Sequence, residues 1–335
     1  MLEELELPVL VAPMAGGVST PALVTAAAEE GAAGFLPLGY LSPAAAEDAI
    51  RSVAKAGVRY GVNIFVPRPS PADASEVLAY RERLRPEAER YGVELPAPRL
   101  RDDDHYDSKV ELTVGATPAW VSFTFGIPDR RSVAALRRAG STVLVTVTDT
   151  DDARRAVAAG ADALIVQGGD AGAHSATTRP GAFRGDRGAL EVLREVRAAV
   201  DVPLVAAGGV GAAADVRTLI AAGAVAVQSG TLFLLAAEAG TRPAHRAALG
   251  TAGPTVLTRA FSGHPARALP NRFTETYGRY APIAYPAVHH LTAGLRAAAA
   301  AAGDAEALNL WAGAAYRQAR PGTVREILER LSPGQ

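Results

Sequence analysis

The sequence predicts a (β/α)8 barrel with a smaller, mostly helical cap domain, and three observations carry that prediction. Eight short apolar runs recur along the chain, most of them apolar on both faces, as the covered strands of a parallel sheet must be. Ala-rich amphipathic segments alternate with them. Several of these end in an Ala-Gly pair that suits a helix C-cap, at Ala139-Gly140, Ala159-Gly160 and Ala222-Gly223. Finally, 335 residues, 49% hydrophobic and 21% charged, suffice for one large barrel and an appendage. A doubly wound sheet is the runner-up, but no Gly-x-Gly-x-x-Gly follows the first strand, where a dinucleotide fold would carry one.

Taken in order, "PVLVAPM" (8–14) is the first strand, and Thr20-Pro21 opens a helix as cap and first-turn residue. "AAGFLPLG" (32–39) is the second, followed by a helix that Ser42-Pro43 opens and Gly57 closes. The runs "YGVNIFVP" (60–67), "AWVSFTFG" (119–126), "STVLVTVTD" (141–149), "DALIVQGG" (162–169), "VPLVAAGG" (202–209) and "AVAVQSGTLF" (224–233) continue the series. Two stretches break the repeat. Residues 68–118 hold a charged helix and the polar tract "RLRDDDHYDSKVE", and residues 240–335 are helix-rich. The expected division is a barrel of 1–67 and 119–239 under a cap of 68–118 and 240–335, with part of 240–335 left open to complete the barrel. Barrel active sites lie at the C-terminal strand ends, so such a cap would roof the site.

Composition narrows the function. A net charge of −1 without a basic track points away from nucleic acid. The absence of cysteine excludes disulfides, thiolate metal sites and cysteine nucleophiles. The acidic start "MLEELEL" lacks the basic region of a signal peptide, and the Ala run near 297–302 is too short to span a bilayer. The expected location is the cytoplasm, with no membrane partner.

The predicted strand ends supply Met14 and Ala15, Asn63, Phe123 to Gly126, Gln167 to His174, "AAGGVG" (206–211) and "QSGT" (228–231). The last two loops have the parts of a barrel phosphate site: Gly208, Gly209 and Gly230 for close backbone approach, and a hydroxyl at Thr231. Uncharged donors such as Asn63 and Gln167, with no carboxylate cluster, favour flavin mononucleotide (FMN) over a metal-bound phosphosugar. No histidine pair has metal-ligand spacing backed by carboxylates, so no metal site is expected.

In this order, "APMAGGVSTPALVTAAAEEGAAGFL", "GVNIFVP", "VSFTFGIP", "GADALIVQGGDAGAH", "VPLVAAGGV" and "QSGTLFLLAAE" resemble the nitronate monooxygenase family, as do the later "TRAFSGHPARALPN" and "LWAG". The resemblance spans nearly the whole chain, the 68–118 stretch and the last residues excepted. It implies an FMN enzyme in which the histidine of a "QGxEAGGH" loop, here His174, lies over the flavin ring. It further implies FMN contacts at Met14, Ala15, Asn63, Gln167, Gly172, Gly208, Gly209, Gln228, Ser229, Gly230 and Thr231. Asp170 stands where the family has Glu, Ala173 where it has Gly, and Ser175-Ala176 where Arg-Gly is common; Ala for Gly restricts the backbone.

The implied activity is oxidation of alkyl nitronates by O2 to carbonyl compounds and nitrite, with nitroalkanes and a homodimer left open. His174 would take a proton from a nitroalkane or hold the nitronate, work suited to a group with a pKa of ~6.5. An NAD(P)H-dependent quinone or enoyl-thioester reductase on the same barrel shares these motifs, and a non-catalytic flavin-binding barrel is a further rival. Among the other histidines, His105 reads as solvated, His245 as a cap-helix residue and His264 as local structure, while at most one of His289 and His290 can face the cavity. Asp170 either orients His174 or caps the next turn. Phe123, Phe125 and Tyr285 are candidates for an apolar wall.

Overall fold

A computed structural model of the chain describes residues 2–68, 72–251, 253–332 and 334. Its barrel strands are β1 (Val9–Val11), β2 (Ala33–Pro37), β3 (Gly61–Phe65), β4 (Trp120–Thr124), β5 (Thr142–Val147) and β6 (Ala163–Gln167). After a short outer strand, β7 (Ala173–His174), the barrel resumes with β8 (Leu204–Ala207) and β9 (Ala226–Ser229). All barrel pairs are parallel, and β9 closes on β1 with Leu10 opposite Gln228. Each strand lies inside one of the eight runs expected from the sequence. This is a (β/α)8 barrel.

The side chains alternate as the pleat requires. Val62, Ile64, Val121, Phe123, Leu164 and Val166 point outward and form one core with the surrounding helices. Leu10, Phe35, Trp120, Ile165 and Val205 point inward and fill the barrel floor. Going up the strands, the inward positions become Asn63, Ser122, Thr124 and Gln167, and these line a cavity. The barrel is therefore packed at the bottom and polar at its C-terminal mouth.

The helices on the wall are α1 (Pro21–Glu29) and α2 (Pro43–Ala54); then, in chain order, come α3 (Ala74–Arg83), α4 (Arg85–Tyr91) and α5 (Tyr106–Ala116). Thr20 and Ser42 cap α1 and α2 by accepting the Leu23 and Ala45 N–H, as the sequence expects. α6 (Arg130–Arg138), α7 (Thr150–Ala159), α8 (Ala189–Arg197) and α9 (Ala213–Ala221) continue the ring, and Gly140, Gly160 and Gly223 follow their helices with positive φ. Later elements are α10 (Pro243–Ala248), β10 (Val256–Thr258), β11 (Ala266–Ala268), α11 (Arg272–Tyr277), α12 (Ala287–Ala301) and α13 (Val324–Leu331).

A second core lies over the barrel mouth. It joins Val77, Tyr80 and Leu84 of α3 and its C-cap to Phe261, Phe273, Leu291 and Leu295. The Tyr80 hydroxyl donates to the Ala260 carbonyl at 2.8 Å. Not all of 68–118 belongs to this core. α5 packs on α2, α6 and β3, with Tyr106 and Val110 in the barrel core, and so takes the place of the third crossover helix. α13 likewise packs on α1 and α9, where an eighth wall helix belongs. Among the described residues no helix is long and apolar enough to cross a membrane.

Candidate active site

The cavity opens at the C-terminal strand ends and is roofed by α12 and the segment around Trp311. It brings together His174 and every residue expected to contact the flavin. From the first loop come Met14 and Ala15, from β3 Asn63, from β6 and its loop Gln167, Gly172 and His174. The loops after β8 and β9 add Gly208, Gly209, Gln228, Ser229, Gly230 and Thr231.

Their hydrogen bonds show how each is held. The Asn63 amide donates to Ser122 Oγ at 2.9 Å and Thr124 Oγ1 at 3.0 Å. Gln167 is committed at both ends: Nε2 donates to the His174 carbonyl at 3.2 Å, and Oε1 accepts the Ala176 N–H at 2.7 Å. It thereby staples the histidine segment to the barrel. Thr231 Oγ1 accepts the Gly313 N–H at 2.9 Å, and Ser229 Oγ donates to the Val210 carbonyl at 3.3 Å, tying the two phosphate-type loops together. Gly172 is fixed by crowding, because a Cβ there would sit 2.5 Å from the Gly313 nitrogen.

His174 lies in an antiparallel strand where the sequence suggested only a loop: β7 pairs with β11, Ala266 opposite His174. Its Nε2 is 2.8 Å from Ser262 Oγ, and Phe125 and Trp311 pack at 5.4 and 5.2 Å between ring centroids. Burial, helped by His264 and Arg296, pushes its pKa down to about 3, so the imidazole is neutral. Ala173 next to it has φ +61, the left-handed conformation that glycine would take freely. Asp170 does not reach the imidazole. Its carboxylate lies against Gly188, the residue that precedes α8, where helix N–H groups favour an acid.

The cavity also contains residues the sequence did not single out: Tyr40, Arg242, Arg296 and the aromatic Trp311. Arg296 is partly buried, donates to the His289 carbonyl at 2.9 Å and to Nδ1 at 3.3 Å, and makes no salt bridge among the described residues. Burial lowers its pKa to about 10, which leaves it charged. The seven-residue spacing of His289 and Arg296 puts both on one helix face and could have flagged them. His289 faces the cavity while His290 turns to Asp102 at 2.7 Å, in keeping with the one-of-two rule. His245 is a further lining residue, 3.1 Å from the Trp311 carbonyl, and His264 bonds the Ser175 carbonyl at 2.8 Å. Of the three wall candidates, Phe125 lines the cavity and Tyr285 packs on it at 5.0 Å. Phe123 points outward to Tyr106, because β4 alternates and its neighbours Ser122 and Thr124 take the inward positions.

The sequence model of the family described as "Nitronate monooxygenase" matches residues 2–334. The chain belongs to the nitronate monooxygenase family. A nitronate monooxygenase of Pseudomonas aeruginosa is 36% identical over 97% of this chain and 95% of its own length. One from Paraburkholderia phytofirmans is 34% identical over 97% and 91%. Among solved structures, nitroalkane oxidase from Streptomyces ansochromogenes superposes with a TM-score of 0.94 and 44% identity, covering 98% of this chain and 96% of that one. FabK from Thermotoga maritima gives 0.77 at 25% identity, over 98% and 93%. As a nitronate monooxygenase family member the chain is a flavin-dependent oxidoreductase.

Proposed function

We propose that the protein is an FMN-dependent nitronate monooxygenase that oxidises alkyl nitronates with O2 to carbonyl compounds and nitrite. The cavity suits a flavin on two counts. Gln228 Oε1 is buried in it without a hydrogen-bond partner, an acceptor that a ring or ribityl donor would satisfy. Gly208 and Gly209, at φ +106 and +72, present bare backbone beside the phosphate-type loop that ends at Thr231. Gly208, Gly209 and Ser229 to Thr231 would hold the phosphate side, and Met14, Ala15, Asn63, Gln167, Gly172 and Gln228 the remainder. When bound, FMN supplies the electron acceptor for the substrate and the electron donor to O2.

The protein's own part is binding and proton placement. His174 carries the proposal, because it is a partly buried, neutral imidazole with one nitrogen on Ser262 in the same cavity as the flavin-type loops. A neutral imidazole donates or accepts a hydrogen bond without needing a counter-ion. A nitronate arrives as an anion and needs no proton removed, so a histidine this hard to protonate suits it better than a neutral nitroalkane. Arg242 and Arg296, free of carboxylate partners among the described residues, provide the positive potential that draws an anion in. We read the core formed by α3, α4 and residues 260–316 as a cap that keeps the cavity dry.

The likeness to FabK keeps the NAD(P)H-dependent reductase as a second reading. One experiment separates the two. The visible spectrum of the purified flavoprotein is recorded anaerobically, first with ethyl nitronate and then with NADPH. Bleaching by the nitronate and not by NADPH is the expected result, whereas rapid bleaching by NADPH alone moves the protein to the reductases.

A further inference from the structure

The acidic tract "DDDH" (102–105), which precedes α5, reaches the cavity through Tyr40. Tyr40 follows β2 with φ +68, a left-handed conformation that a non-glycine residue keeps only where its surroundings hold it. Asp104 holds it. One carboxylate oxygen accepts the Tyr40 N–H at 3.0 Å, and the other lies 2.8 Å from the ammonium of Lys109, a fully buried lysine. Two residues earlier, Asp102 sits 2.7 Å from His290 on α12 and accepts the Asp104 N–H at 2.9 Å. The tract thus ties the β2 loop to the helix that carries His289 and Arg296.

The consequence lies at the cavity wall. The Tyr40 ring stacks on His289, with centroids 4.2 Å apart and planes 6° from parallel, and it meets Phe65 edge-on at 5.4 Å. Because Arg296 donates to His289 Nδ1, that imidazole carries its proton on Nε2 when neutral. The Tyr40 hydroxyl oxygen is buried beside the Tyr285 phenol, and its own O–H has no acceptor among the described residues. A buried donor left in this state is satisfied by what enters the cavity.

We infer that Tyr40 is a substrate-binding residue whose hydroxyl donates to an acceptor oxygen of the bound substrate, and that Asp104 is the positioning residue that keeps it there. The inference rests on the proposed nitronate reaction. It predicts a specific pattern in the flavin-loaded enzyme with ethyl nitronate. Tyr40→Phe raises KM about tenfold, the worth of one hydrogen bond to an anion, and changes kcat less than twofold. Asp104→Ala alone would strand the Lys109 charge, so the informative variant is D104A/K109M, which removes both charges. It raises KM to a similar extent, and D104N/K109M, whose amide oxygen still accepts the Tyr40 N–H, recovers most of the loss. In the triple variant Y40F/D104A/K109M the two losses do not multiply, because position 104 acts through position 40.

A second readout uses binding without turnover: the Kd for nitroethane, followed anaerobically by perturbation of the flavin bands, shifts in step with KM. An unchanged KM in Y40F, or losses that multiply in the triple variant, overturns the inference while leaving the nitronate reaction standing. A wild-type enzyme that does not turn over ethyl nitronate removes the functional reading and this inference with it.

Discussion

The Nε2 atom of His174 lies 2.8 Å from Ser262 Oγ, although 88 residues separate them in the chain. This contact fixes the ring of a partly buried imidazole from the cap side, while Gln167 fixes its backbone from the barrel side. Ser262 is itself 1% exposed, so its hydroxyl is not exchanged for water. Ser262→Ala leaves a buried ring nitrogen without its partner, at a cost of about 1–3 kcal/mol to the arrangement. The expected result is a loss of about tenfold or more in kcat/KM for ethyl nitronate at unchanged flavin content. Equal kcat/KM in the two proteins would show that the bond does not orient His174 for catalysis.

Ala173 holds φ +61 beside the same histidine. Glycine adopts this conformation without the Cβ penalty but loses more chain entropy on folding, so the two effects partly offset. Ala173→Gly is expected to stabilise the protein by about 0.5–1 kcal/mol, read as a rise in the urea midpoint. A lower midpoint would mean that the Cβ makes a contact worth more than the strain.

Burial holds three histidines neutral, His174 near pKa 3 and His245 and His264 near 4, against 6.5 in the open chain. Between about pH 4 and 6.5 the unfolded chain therefore binds protons that the folded protein does not, and stability rises with pH through that window. Each histidine contributes up to ~1.4 kcal/mol per pH unit, so the three approach a slope of about 4 kcal/mol per unit near pH 5. Urea unfolding at pH 7.5 and 5.5 should show a lower midpoint at 5.5. A midpoint that stays constant would mean that these rings are charged in the native state.

The cap depends on one buried ion pair. Glu87 on α4, 2% exposed, receives both guanidinium nitrogens of Arg272 on α11 at 2.6 Å, and the Tyr277 hydroxyl at 3.3 Å. Arg272→Met leaves the buried carboxylate with the Tyr277 hydroxyl and with Arg90 at 4.0 Å, and the expected loss is about 3 kcal/mol. E87Q/R272M, which removes the stranded charge, should recover much of that loss in the same unfolding assay. If the double variant is no more stable than R272M, the packing of the arginine stem, not its charge, holds the two helices.

The eight strands and the loops after them were legible because their signals are local. A strand buried on both faces must be apolar over four to six residues, and a βα turn that meets a phosphate must be rich in glycine. The placement of α5 was not legible, since its sequence reads as a polar tract and its buried residues, Tyr106, Lys109, Val110 and Thr113, draw no apolar stripe. Phe123 shows the same limit: period-two alternation was visible in β4, but which of its two faces turned inward was not.

What the sequence by itself determined was the barrel, the glycine-rich strand ends and the position of His174 among them, because each depends on residues close together in the chain. Only the tertiary structure decided what surrounds that histidine. Tyr40, Asp104 and the α12 pair His289 and Arg296 come from three distant segments, and Ser262 reaches His174 from the cap. The local sequence marks neither Tyr40 nor Asp104, and the spacing of His289 and Arg296 marks only a shared helix face, since an arginine or an unpaired phenol acquires its meaning from the low-dielectric cavity that the folded chain closes around it.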